Sequence, residues 1–211
     1  MSRVPLTRLI NFLRSSERQP LAYAICAAYN RYGASRHFLS TSDILRIALG
    51  SDERSHLTDF VGEDLRRRGM ELDLFGPIGE GAPGGATEPW PDVARNVAEQ
   101  VASGNADCGV LFCWTGTGVS IAANKVAGVR AALCRDAETA RGARAWNEAN
   151  VLCLSLRATP EVVAKEILDA WFSASPDPSE APNIEKVKLL EREFGPSERS
   201  QAGVRESNSG G

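Results

Sequence analysis

The sequence predicts an α/β fold: a doubly wound, Rossmann-like parallel sheet of five strands with helices on both faces, followed by a C-terminal helix. Two observations favour it. Short β-forming runs alternate with amphipathic helical segments, which is typical of parallel sheets. Residues 108–113 (CGVLFC) are almost entirely apolar, as expected for a strand buried on both faces. This run should be the centre of the sheet.

The elements follow in chain order. The predicted strands are residues 44–50, 72–75, 108–113, 129–133 and 151–154. The predicted helices are residues 57–68, 93–102, a short helix from Ser120, 137–146 and 160–172. The glycine- and proline-rich loop after the second strand is too long for a mere connection. After a proline-rich break at residues 173–182, residues 184–194 form a last helix with nothing of its own to pack against. We expect a partner subunit to supply that surface.

Charge is unevenly distributed along the 211 residues, whose formal net charge is −3. Six arginines and one acid precede Thr41, which leaves 18 bases and 26 acids, a net charge of −8, for the rest. An acidic body argues against a nucleic-acid partner, because phosphate neutralisation needs a basic face. Since no apolar run approaches the length of a membrane-spanning helix, we also expect no membrane insertion.

These compositions divide the chain into three predicted parts. Residues 1–42 form a basic leader, either a transit peptide for the mitochondrial matrix or a disordered extension of a cytoplasmic protein. Residues 44–195 form the folded domain, and residues 196–211 form a polar, disordered tail. Five cysteines without a CxxC pair indicate a reducing compartment rather than a disulfide framework.

The chemistry is concentrated after the third strand, in residues 113–120 (CWTGTGVS). In open α/β sheets, ligands bind at the carboxyl ends of the strands, and backbone N–H groups at a helix start can converge on an anion. Neither a dinucleotide fingerprint nor a P-loop is present. Cys113 lies beside this turn, where a thiolate is favoured and can act as base or nucleophile. A buried cysteine used as a small hydrophobic residue is the alternative.

Residues 113–125 (CWTGTGVSIAANK), together with residues 128–134, 147–152 and Arg157, closely resemble the type B ribose-5-phosphate isomerase family, which includes the galactose-6-phosphate isomerase subunits. The resemblance implies aldose–ketose isomerisation of a sugar phosphate through an enediol. It implies no metal and no cofactor. It also implies a homodimer or a tetramer whose active sites combine residues of two subunits.

The resemblance assigns roles residue by residue. Cys113 would move a proton between C1 and C2, with help from Thr115. The backbone N–H groups of residues 115–118, which include Gly116, Thr117 and Gly118, would hold the enediolate oxygen. Asp52 and Asn147 would contact the sugar, and Arg157 the phosphate. Asn124 and Lys125 either belong to this site or fix the short helix.

Several positions depart from the family pattern. Glu53 stands where the family has a histidine, and Trp146 replaces the histidine that opens the sugar ring. Trp90 replaces a loop tyrosine, and Trp114 a glycine. These three tryptophans either contact sugar C–H faces or pack in the core. Arg54, Arg157 and Lys186 remain as cations for a phosphate, and His56 is either a ring-opening or phosphate-binding residue or an exposed residue of a first helical turn.

The sequence therefore predicts an aldose–ketose isomerase of a sugar phosphate. The substrate would be ribose 5-phosphate or a similar small sugar phosphate that is already open-chain, as the missing histidine suggests. The alternative is a non-catalytic sugar-phosphate sensor that keeps the glycine turn as an anion cradle and does not need the cysteine.

Overall fold

The computed structural model describes residues 44–79 and 87–194. The elements are β1 (Arg46–Ser51), α1 (His56–Arg67), β2 (Glu71–Phe75), a 3-10 turn (Gly76–Ile78), α2 (Trp90–Ala102), β3 (Cys108–Cys113), α3 (Thr117–Ala123), β4 (Ala131–Leu133), α4 (Ala137–Asn147), β5 (Val151–Ser155), α5 (Glu161–Ser173), a second 3-10 turn (Pro178–Glu180) and α6 (Ala181–Phe194). The predicted leader, the predicted tail and part of the long loop lie outside the described residues.

The five strands form one parallel sheet in the order β2-β1-β3-β5-β4. The all-apolar strand β3 occupies the centre, and each of its six residues is buried. This confirms the predicted five-stranded parallel sheet. From β1 the chain first adds β2 on one side and then returns to add β3 on the other side. The order in which strands are added therefore reverses between β1 and β3.

Helices cover both faces of the sheet, as predicted. On one face, α1, α4 and α5 pack over strand residues such as Phe112 and Leu154. On the other face, α2 and α3 pack over a second cluster that includes Leu111 and Cys153. Alternating side chains of each strand feed the two clusters, so consecutive residues of β3 point to opposite faces. None of the helices in residues 44–79 and 87–194 is long and apolar enough to cross a bilayer.

Two predicted boundaries near the glycine turn are wrong. The short helix begins at Thr117 rather than Ser120, so the turn itself forms the first helical residues. The fourth strand begins at Ala131 rather than at residue 129. Val129 donates its N–H to the carbonyl of Val126 (3.2 Å), and the Arg130 N–H is taken by Oδ1 of Asn150 (2.8 Å). The N–H groups of both residues are therefore bound outside the strand ladder, although the Arg130 carbonyl still accepts from the N–H groups of Asn150 (3.1 Å) and Val151 (3.4 Å).

The C-terminal helix is better anchored than its sequence predicts. It begins at Ala181, so Pro182 lies in its first turn, where a missing N–H costs nothing. Ile184 is buried, and Oε1 of Glu191 accepts a hydrogen bond from the Gly128 N–H (2.6 Å). The prediction that this helix lacks any surface of its own to pack against is therefore wrong. Its other face remains exposed, with apolar side chains at Val187, Leu189, Leu190 and Phe194.

Candidate active site

The carboxyl ends of β1 and β3 lie side by side at the centre of the sheet. Ser51 of β1 pairs with Phe112 of β3, so the next residues, Asp52 and Cys113, are neighbours across the two strands. Cys113 is 5% exposed and belongs to the cluster under α2 and α3. Strand β5 lies on the other side of β3 from β1, and its last residue, Ser155, pairs with Cys113. Three strand ends thus meet around one thiol.

Gly116 forms the sharp turn between β3 and α3. Its φ is +74°, a left-handed conformation, and its N–H bonds to the carbonyl of Cys113 (3.1 Å). A Cβ at this position would lie 2.5 Å from Cδ1 of Leu133 and 3.0 Å from the carbonyl group of Leu154. Only glycine meets both constraints. The turn therefore brings the start of α3, with its unfilled first N–H groups, next to Cys113.

Two threonine hydroxyls lie at the open side of this turn. Oγ1 of Thr115 is 2.6 Å from Oγ1 of Thr117, and both side chains are exposed. Either hydroxyl can donate in this pair, which leaves the other proton free to rotate toward a ligand. The predicted assisting residue and the helix start are therefore part of one polar surface.

The end of strand β5 is hydrogen-bonded to the turn after β3, and the residues that follow β5 add the cationic side chain of Arg157. The carbonyl of Cys113 accepts a hydrogen bond from the N–H of Leu156 (3.0 Å). The carbonyl of Trp114 accepts from the N–H of Arg157 (3.1 Å) and from Oγ of Ser155 (2.9 Å). The structure thus places Arg157, as an exposed side chain, at the same edge as Cys113. The contribution of Ser155 was not predicted, and its place at a strand end was the available signal.

Trp90 closes the other side of the site. It is the first residue of α2, and a Cβ at Gly118 would lie 3.1 Å from its ring. The residues just before Trp90 contact the chain that follows β1. Glu88 donates its N–H to the carbonyl of Asp52 (3.2 Å), and Thr87 forms a β-bridge with Glu53. Trp90 is 41% exposed, so it is accessible beside the glycine turn.

Asp52 is a site residue whose pKa the fold perturbs. Burial raises the pKa of Asp52, the adjacent Glu53 carboxylate raises it further, and hydrogen bonds from the N–H groups of Asp52 and Glu53 offset only part of this. Within the described residues, Oδ1 of Asp52 is buried and has no hydrogen-bond partner. The Arg54 side chain turns to Asp59 instead (2.9 Å). Asp52 can therefore accept a hydrogen bond from a ligand hydroxyl.

The remaining predicted site residues are divided between the two edges of the sheet. His56 begins α1 at the same sheet edge and is exposed, while Glu53 is half-buried. Trp146 and Asn147 end α4, which runs back to the amino ends of the strands. There, the carbonyl of Asn147 accepts from Nε of Arg130 (3.2 Å), just before β4. One subunit therefore does not bring Trp146 or Asn147 to the thiol.

Helix α6 lies at that amino edge as well. It is tied to Gly128 through Glu191, and Lys186 is exposed on it. The predicted phosphate contact from Lys186 is thus also remote from Cys113 of the same chain. Residues 44–79 and 87–194 contain no group of three or more His, Cys, Asp or Glu side chains disposed to hold a metal ion.

The Asn124 side chain fixes the short helix α3, which is the second of the two roles considered for it. Its Nδ2 donates to the carbonyls of Ser120 (2.9 Å) and Ala131 (2.8 Å), and its Oδ1 accepts from the Ala131 N–H (2.9 Å). The side chain therefore joins the end of α3 to β4.

Comparisons with known proteins agree with this architecture. Residues 47–189 match the family model described as Ribose/Galactose Isomerase. The chain is 35% identical to D-erythrulose-4-phosphate isomerase of Pectobacterium atrosepticum over 154 residues, which are 71% of this chain and 97% of that protein. It is 38% identical to ribose-5-phosphate isomerase B of Escherichia coli over 130 residues, which are 61% of this chain and 84% of that protein. The solved structure of Clostridium thermocellum ribose-5-phosphate isomerase B superposes with a TM-score of 0.65 at 35% identity, covering 72% of this chain and all of that one. The chain belongs to the ribose/galactose isomerase family of sugar-phosphate isomerases.

Proposed function

We propose that this protein interconverts an aldose phosphate and a ketose phosphate, with Cys113 as the base. The observation that carries the proposal is the position of Cys113, at the end of the central strand and beside the left-handed turn at Gly116. A proton next to a carbonyl becomes removable when the developing oxyanion meets prearranged donors. The first N–H groups of α3 are suited to that task.

In the proposed step, the Cys113 thiolate takes the proton from C2 of the open-chain aldose. The electrons of that C–H bond form a C1=C2 double bond, and the carbonyl electrons move to O1. The thiol then returns the proton to C1, while a proton passes from O2 to O1, so no oxidant or reductant is consumed. The Thr115 and Thr117 hydroxyls, 2.6 Å apart, offer a short path for the oxygen-bound proton. Asp52 would bind a sugar hydroxyl, and Arg157 the phosphate.

The substrate we favour is a four-carbon sugar phosphate that cannot form a ring. A tetrose phosphorylated on O4 has no free 4-hydroxyl to close a five-membered ring, so its isomerisation requires no ring opening. This suits a chain with Trp146 in place of the family's ring-opening histidine. The similarity to D-erythrulose-4-phosphate isomerase supports the same class. Ribose 5-phosphate, which does cyclise, is the comparison substrate.

We also propose that the active unit is a homodimer with shared sites. Trp146 and Asn147 lie at the sheet edge opposite to Cys113, so they can contribute only to the site of another copy. The exposed apolar side chains of α6, such as Leu190 and Phe194, provide surface for such contact.

The test of this mechanism replaces Cys113 with alanine or serine. Loss of a positioned general base lowers turnover by about 10²–10⁴-fold, measured with erythrose 4-phosphate and ribose 5-phosphate as aldose–ketose interconversion. Cys134→Ala is the matched control, because burial, together with Asp136, raises the pKa of the Cys134 thiol to about 12 and this thiol should stay protonated. We expect Cys134→Ala to retain turnover.

A fully active Cys113→Ala protein with an unchanged circular dichroism spectrum would exclude the cysteine mechanism. Solvent exchange separates the enzyme from the sensor alternative. An isomerase incorporates deuterium from heavy water into substrate C–H positions, whereas a sensor binds the sugar phosphate without any exchange.

A further inference from the structure

The peptide bond between Trp114 and Thr115 is held on one side by the end of β5. The Trp114 carbonyl accepts two hydrogen bonds, one from Oγ of Ser155 (2.9 Å) and one from the N–H of Arg157 (3.1 Å). A trans peptide is planar, so its N–H points in the direction opposite to its C=O. Because the carbonyl points toward β5, the Thr115 N–H points away from it, toward the side of β3 on which β1 lies.

The Thr115 N–H is a donor that the turn leaves available. Among the described residues, no group accepts a hydrogen bond from it. The next N–H along the chain, that of Gly116, is already bound to the Cys113 carbonyl (3.1 Å). The available donor therefore belongs to the same turn as the thiol that takes the substrate proton in the proposed mechanism.

The Ser155 hydroxyl is itself fixed on both sides. Its oxygen accepts a hydrogen bond from the Ala158 N–H (3.2 Å), and its one proton is donated to the Trp114 carbonyl. The main chain of Ser155 is also held, because the residue pairs with Cys113 in the sheet and its carbonyl accepts from the Thr159 N–H (3.1 Å). This rigid hydroxyl can fix the orientation of the peptide that it contacts.

We propose that Ser155 is a positioning residue of the reaction, whose hydroxyl aims the Thr115 N–H at the oxygen on which the enediolate charge develops. The proposal rests on the proposed function for the place of that oxygen, beside Cys113. A prearranged donor stabilises the transition state more than the substrate, because the charge develops only as the reaction proceeds. Loss of the Ser155 hydroxyl removes one of the two bonds that keep the Trp114 carbonyl turned toward β5, so the donor is aimed less well.

The experiment compares Ser155→Ala and Ser155→Thr with the wild-type protein, with erythrose 4-phosphate and ribose 5-phosphate as substrates. Outright removal of an oxyanion donor lowers kcat by about 10²–10³-fold. Ser155→Ala keeps the donor and the bond from the Arg157 N–H, so we expect a smaller loss of about 10-fold in kcat, with KM little changed. Ser155→Thr retains a hydroxyl at this position and should keep most of the wild-type kcat.

Ser103→Ala is the matched control. Oγ of Ser103 donates to the Glu99 carbonyl (2.7 Å) at the end of α2, so this variant also removes a hydroxyl that binds a main-chain carbonyl. Because α2 begins beside the glycine turn, Ser103 lies at the end of the helix that is remote from Cys113. We expect kcat and KM of Ser103→Ala to match those of the wild-type protein. Thermal unfolding of the three variants establishes that each is folded.

Calorimetry with two unreactive ligands measures the donor without any turnover. Erythronic acid 4-phosphate carries a carboxylate that stands in for the enediolate oxygens, and erythritol 4-phosphate has the same length without that charge. We expect Ser155→Ala to raise the Kd of the carboxylate ligand by about 10-fold, the low end of what a hydrogen bond to a charged group contributes. The Kd of erythritol 4-phosphate should stay nearly the same.

An unchanged kcat in a folded Ser155→Ala protein overturns the proposal. A rise in KM with kcat unchanged also overturns it, since Ser155 would then act through Arg157 on the phosphate. A Ser155→Thr protein as impaired as Ser155→Ala has the same meaning. If the wild-type protein turns over neither sugar, the proposed function fails, and the two Kd values alone decide the role of Ser155. An equal change in both Kd values, or no change in either, then overturns the proposal.

Discussion

Replacing Gly116 with alanine tests the geometry on which the candidate site depends. The φ of +74° costs a residue with a Cβ about 1–2 kcal/mol. The new methyl group would also lie 2.5 Å from Leu133 and 3.0 Å from the Leu154 carbonyl group. Such overpacking costs about 1–3 kcal/mol. Together these predict a loss of about 2–5 kcal/mol in the free energy of unfolding, a large share of the roughly 5–15 kcal/mol typical of a domain.

The control is Gly69→Ala, at the end of α1. Gly69 has a φ of +80°, but no atom lies within 4 Å of its built Cβ. This variant therefore incurs only the conformational cost of about 1–2 kcal/mol. Urea unfolding of both variants gives the two free energies, and their difference isolates the steric contribution at the turn.

The expected result is a Gly116→Ala protein that is less stable than Gly69→Ala by at least about 1 kcal/mol and that has lost turnover. Equal destabilisation of the two variants would refute the reasoning, because it would mean that Leu133 and Leu154 yield without cost. Retained turnover in Gly116→Ala would show that the left-handed turn is not needed to place the N–H groups of α3.

Two further predictions concern Asp52 and assembly. Because the folded state raises the pKa of Asp52, the stabilising contribution of this carboxyl is fully present below its unfolded pKa and is lost as the pH rises through its folded pKa. Asp52→Asn should therefore raise the Tm at pH 7 while lowering turnover. The Tm difference between Asp52→Asn and wild type should shrink toward pH 3, and a lower Tm for the variant at pH 7 would contradict this reasoning. The shared-site proposal predicts a dimer in light scattering at micromolar concentration; a monodisperse monomer there would oppose it.

The sheet could be predicted from the sequence because burial on both faces leaves a direct pattern in β3, where all six residues are buried. The positions of Cys113, Gly116 and Arg157 at one edge followed from their places at strand ends, since parallel strands share a carboxyl edge. The start of β4 was harder to predict. The N–H groups of Val129 and Arg130 bond to Val126 and Asn150 instead of a strand, and nothing in the local pattern indicates these bonds.

The positions of α4 and α6 relative to the sheet were also difficult to predict. The family pattern groups Asn147 with Cys113, but the helix α4 carries Asn147 to the opposite edge of the sheet within one chain. The anchoring of α6 depends on the buried Ile184 and on the contact between Glu191 and Gly128, 63 residues apart. An amphipathic pattern reports that a helix has an apolar face and does not identify the surface that covers it.

The Asn124 side chain has a consequence for how copies of this protein can associate. β4 is an outer strand, and unpaired N–H and C=O groups on an outer strand invite another chain to add a strand. At Ala131 both groups are already bound by the amide of Asn124, which imitates a neighbouring strand. The first residue of β4 is therefore not available for pairing with an added strand. We expect a second copy to associate through side chains of the helices and to leave the five-stranded sheet unextended at β4.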